Sequence, residues 1–107
     1  MIKKDDSVEL NLREEIAGAA ARLSVWHEAV TGRDLVVTSG SEKIQHRVKR
    51  SAHYRGDAID IRNWDLKVLD PDLAKWTSVI EYLLGPDFVV INENTHYHIH
   101  WGPVFSE

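Results

Sequence analysis

Residues 96–101 read His-Tyr-His-Ile-His-Trp, a strict alternation of imidazole with a large apolar side chain. Only an extended strand sends every second side chain to one face. His96, His98 and His100 therefore project together, and Tyr97, Ile99 and Trp101 project the other way. Upstream, residues 87–93 form a second strand rich in β-branched residues, and the Glu-Asn-Thr between the two is short enough for a hairpin turn. A hairpin with one apolar face needs a layer to cover that face.

Two segments can supply the cover. From Leu12 to Thr31, the residues Leu12, Ile16, Ala19, Leu23, Trp26 and Val30 recur at the three-and-four spacing of one helix face. Asn11 and Glu14 are placed as a capping box, and Gly32 as the stop. A second helix is expected after Asp70, as capping residue, and Pro71, as first helical residue. Its stripe is Leu73, Trp76, Val79, Ile80, Leu83 and Leu84, and Gly85-Pro86 ends it. Residues 34–40 and 57–62 read as two further strands, and Asp60 shares a face with Ala58, opposite Ile59 and Ile61. Residues 1–10 read as a charged lead-in, residues 40–56 as a long polar loop, and Trp64 as part of a loop bordering the cleft. The expected fold class is α+β: a small, largely antiparallel sheet with helices packed on one face.

At 107 residues the chain is expected to form one domain. The net charge of −4 argues against a general nucleic-acid binder. With no cysteine, disulfides and thiolate metal sites are excluded, so any metal must be held by histidine and carboxylate. No stretch has the ~20 apolar residues of a membrane helix. The first ten residues carry two lysines without the apolar run of a signal peptide. Synthesis in the cytoplasm, no membrane partner and a monomeric state are expected.

The polar face of the histidine strand suggests a metal, because neutral imidazole is the commonest protein metal ligand. Ser-Ala-His-Tyr-Arg-Gly-Asp-Ala-Ile-Asp at residues 51–60 offers more donors. The chain can fold back between His53 and Asp60, with Gly56 permitting the turn. Asp60 is a charge within an apolar strand, a costly placement that a cation would offset. Two nitrogens and one oxygen with an open fourth position is the pattern of catalytic zinc. Residue pattern alone leaves His96, His98 and His100 open as the third ligand.

Ser51, His53, Gly56, Ala58 and Asp60 fall at the spacing of S-x-H-x-x-G-x-A-x-D. This resembles the motif of zinc peptidases that cut peptidoglycan: D-Ala-D-Ala carboxypeptidases and dipeptidases, phage L-alanyl-D-glutamate endolysins, and penicillin-insensitive murein endopeptidases. Glu93, His96 and His98 resemble the E-x-x-H-x-H form of the phage-type members, and the likeness spans roughly Leu35 to Pro103. It implies Zn²⁺ held by His53, Asp60 and His98, or by His96 or His100 under a register shifted by two. It implies Glu93 as catalytic base, with His96 sharing that role or stabilising the oxyanion. The implied substrate is a peptide bond in the peptidoglycan stem, cut by a carboxypeptidase or endopeptidase such as a phage or prophage lysis enzyme that reaches the cell wall on release. In the basic loop, His46 and Arg55 are the candidates for binding a substrate carboxylate or supporting the oxyanion. The hedgehog signalling domain shares that fold and zinc site, which gives a second expectation: a non-catalytic zinc-binding module.

Overall fold

The structure is a computed structural model, and it describes residues 1–41 and 56–102. Among these residues the order is β1 (Ile2–Lys4), α1 (Glu14–Thr31), β2 (Leu35–Ser39), β3 (Ala58–Arg62), α2 (Trp64–Leu69), α3 (Leu73–Leu84), β4 (Phe88–Asn92) and β5 (His96–Trp101). The strands form one open sheet in the order β1-β2-β3-β5-β4. β1 runs parallel to β2, and every other pairing is antiparallel. The fold is α+β, as the alternating and three-and-four patterns require.

The core lies between one sheet face and the helices. Val37, Ile59, Ile61, Val90, Tyr97 and Ile99 pack in one cluster with Ile16, Leu23, Leu66, Trp76 and Ile80. These are the apolar halves of the alternations and stripes, so burial, the main favourable term in folding, selects this face. Tyr97 is fully buried and its hydroxyl donates to the Leu73 carbonyl at 2.6 Å, tying β5 to the start of α3. Trp26 and Trp76 meet edge to face, with ring centroids 6.0 Å apart. His27 is buried, with Nδ1 2.9 Å from the Arg33 carbonyl, a structural role. Among the described residues no helix is long and apolar enough to cross a membrane.

Several local expectations need correction. The lead-in contains β1, whose single apolar residue, Ile2, is too short a signal to read, and whose exposed lysines suit an edge. Helix α1 starts at Glu14, not Leu12, and Arg13 caps it without a side-chain bond. The preceding backbone is committed elsewhere: Asn11 N–H donates to Ser41 Oγ at 3.0 Å and Arg13 N–H to the Gly56 carbonyl at 2.9 Å. Those bonds hold residues 11–13 out of the helix. Gly32 ends α1 at φ 71°, as expected, whereas Val30 is 39% exposed. Trp64 begins a six-residue helix rather than lying in a loop; with only Leu66 buried, α2 shows no periodicity. The cap of α3 is Asp72, which accepts from Lys75 N–H at 3.2 Å. Asp70 instead accepts from Asp72 N–H at 2.9 Å, a turn that delays the helix by two residues.

Candidate functional site

The face of β3 and β5 turned away from the core carries three facing pairs. Ala58 lies opposite His100, Asp60 opposite His98, and Arg62 opposite His96. The alternation that sends Ile59, Ile61, Tyr97 and Ile99 into the core sends these six the other way. On the far side of β3, the register with β2 shifts between Val37 and Ser39, a bulge that brings Ser39 opposite Asp60. Bulges commonly re-aim side chains in this way.

The start of β3 is pinned from two sides. Gly56 has φ 73°, and a Cβ there would collide with the Asn11 carbonyl, so only glycine suits this position of the motif. Asp57 is buried and accepts from Arg13 Nε at 2.5 Å, and its carbonyl accepts Trp101 N–H at 3.0 Å. The Arg13 guanidinium lies 4.4 Å from the centre of the Trp101 ring. Its partner carboxylate favours the charged form, and the Arg13 pKa is raised, chiefly by the hydrogen bond to Asp57.

The acidic and imidazole groups then converge. Asp60 Oδ1 is 3.0 Å from His98 Nδ1, and Asp60 Oδ2 is 3.8 Å from His96 Nε2. His98 Nε2 is in turn 2.9 Å from His100 Nδ1. His98 and His100 are only 2% and 5% exposed, so the histidine face is a buried cluster rather than a solvated one. Glu93 Oε2 is 2.9 Å from His96 Nε2, and Thr95 Oγ1 is 3.0 Å from His96 Nδ1.

The β4–β5 turn that carries Glu93 is held tightly. Thr95 N–H donates to the Glu93 carbonyl at 2.8 Å, with Asn94 between them at φ 66°, a region asparagine tolerates. Asn63 is fully buried, and its Nδ2 donates to the Asn94 carbonyl at 2.8 Å. The end of β3 thereby fixes the turn that presents Glu93 and His96.

Two ligands of a tetrahedral zinc, each about 2.0–2.1 Å from the metal, stand about 3.3 Å apart. The Asp60–His98 and Asp60–His96 separations, 3.0 and 3.8 Å, both lie within about half an ångström of that value. His96 Nε2 is already engaged by Glu93, whereas His98 Nδ1 faces Asp60 directly. A carboxylate with neutral imidazole is also the right donor chemistry for zinc. Among the described residues no three such side chains make a complete metal-binding group. His53, the further ligand expected from the motif, lies outside the described residues, as do His46 and Arg55.

Two neighbours of the site carried weaker sequence signals. Arg62 follows Asp60 by two residues and so shares its face, which the alternation alone implies. Asn63 has no such signal, because its role depends on a turn 31 residues away. No protein-family model, curated protein or solved structure matches this chain.

Proposed function

We propose that the protein is a zinc-dependent peptidase that hydrolyses peptide bonds in peptidoglycan stem peptides. The observation that carries the reading is the Asp60–His98 pair. Two residues 38 apart in sequence face each other across adjacent strands at 3.0 Å, with Glu93 and His96 beside them. Together with the motif over residues 51–60, this favours His53, Asp60 and His98 as the residues that would hold Zn²⁺. The metal would supply Lewis acidity to water and to the scissile carbonyl.

The remaining steps belong to the chain. Glu93 Oε2, steadied by His96 Nε2, takes a proton from the attacking water and returns it to the leaving amine nitrogen. Once Glu93 has taken that proton, His96 Nε2–H can turn from it to support negative charge developing on the carbonyl oxygen. His98 must be unprotonated on the nitrogen that binds metal, so activity should fall in acid. A cytoplasmically made enzyme of this kind would act on the wall once released, as a phage or prophage lysis enzyme does.

The test measures zinc content and peptidoglycan hydrolysis for the wild type and Glu93→Ala. One zinc per chain in both, with hydrolysis lost in the variant, supports the peptidase and its base. One zinc with no hydrolysis in either favours the non-catalytic zinc-binding module. A wild-type chain that takes up no zinc refutes both.

A further inference from the structure

We propose that Arg62 forms a carboxylate-binding subsite next to the reacting centre, so that the peptide bound here carries a free carboxylate within about two residues of the bond cut. This rests on the reading of Asp60 and His98 as that centre. Arg62 lies on the same face of β3 as Asp60 and pairs across the sheet with His96. Residues two apart on a strand are about 6.5–7 Å apart, the length of two residues of an extended peptide. A groove of about 310 Å³ opens beside this pair, lined by Val36, Thr38, Arg62, Trp64, Thr95 and His96. An extended peptide whose scissile carbonyl lies over Asp60 and His98 thus continues past His96 into the groove.

The guanidinium is set for a planar anion. Its central carbon lies over the Trp64 ring, 4.5 Å from the ring centroid, a cation–π contact that holds the group beside the groove. Trp64 is itself 57% exposed, so the pair forms an open wall. Among the described residues, Arg62 Nη2 stands 3.6 Å from Asp65 Oδ2, too far for a hydrogen bond, and its Nε, which is buried, has no partner, so the Nη groups are the ones that face the groove. The Asp65 carboxylate also faces Arg33 Nε at 3.8 Å, so its charge is shared between two guanidinium groups. Arg62 therefore keeps donors for a ligand, and the fork of an arginine matches a carboxylate in two parallel bonds. Val36, Thr38 and Thr95 in the groove carry no competing negative charge.

The free carboxylate is either the C-terminus of the peptide or an internal acidic group, and the experiment separates them. Three synthetic stem pentapeptides are titrated by calorimetry into zinc-treated Glu93→Ala protein: the free acid, the C-terminal amide and the internal carboxamide. The same series is run on Glu93→Ala carrying Arg62→Gln or Arg62→Lys, each checked for an unchanged thermal transition. One of the two amides should bind about 10- to 100-fold more weakly than the free acid. Arg62→Gln should abolish that difference, and Arg62→Lys, which keeps charge but not the fork, should restore part of it. The sensitive amide names the carboxylate. Equal binding of all three peptides, absence of binding, or a difference that survives Arg62→Gln overturns the subsite. Zinc content, measured on the same samples, decides the metal reading separately.

Discussion

Asn63→Asp exchanges one buried amide group for a carboxylate of nearly the same shape, so it tests how the turn bearing Glu93 is held. Asn63 is fully buried; its Nδ2 donates to the Asn94 carbonyl at 2.8 Å, and its Oδ1 has no partner among the described residues. The substitution sets an acceptor against that carbonyl and leaves a buried, uncompensated charge. The expected cost is about 3 kcal/mol, the low end for an unpaired buried ion. With about 2.1 cal/mol/K of unfolding entropy per residue over 107 residues, that corresponds to a Tm about 13 °C lower at neutral pH. In acid the introduced carboxyl is neutral and can donate to Asn94, so the deficit should shrink as pH falls. Asn63→Ala removes acceptor and donor together and should cost less, about 1–2 kcal/mol, because Asn94 is exposed and its carbonyl can take water. Thermal unfolding followed by circular dichroism at pH 7 and pH 4 measures both. A change below about 1 kcal/mol for Asn63→Asp at pH 7, or a deficit that grows in acid, refutes the reasoning.

His100 Nδ1 is 2.9 Å from His98 Nε2, so His100 orients the proposed ligand, and His100→Phe should weaken zinc binding about 10- to 100-fold in chelator competition. Unchanged affinity in a folded variant would show that His98 is oriented by other groups. The Asp72 N–H, and after it the Lys75 ammonium, hold the Asp70 carboxyl below the usual carboxylate range. Its folded pKa lies below its unfolded one, so the stability it contributes is fully present above about pH 4 and is lost as pH falls through the folded value. Asp70→Asn should therefore lower Tm at pH 7 and leave it unchanged near pH 2; an equal drop at both would assign the effect to the geometry of the turn before α3 rather than to the charge.

Much of the fold was legible because burial and periodicity act locally. Ile59, Ile61, Tyr97 and Ile99 alternate with polar residues, and a two-residue period admits only one assignment of faces. The stripe from Leu73 to Leu84 and the stop at Gly32 are likewise properties of a few adjacent residues. β1 and α2 escaped because three and six residues, each with one inward side chain, leave no period to detect. The start of α1 was misread because its capping box competes with bonds from Asn11 and Arg13 to Ser41 and Gly56, partners far away in sequence.

The sequence alone determined that three histidines share one face, that Asp60 lies on a polar face, and that any metal here must be held by nitrogen and oxygen. Tertiary structure decided which of them meet. Strand register sets Asp60 against His98 rather than His96 or His100, because antiparallel pairing fixes one partner for each residue and a two-residue slip would satisfy the same alternation. It also set Arg62 and Trp64 beside His96 and locked the Glu93 turn onto Asn63. Those contacts depend on distances between chain segments, and local pattern carries no information about them.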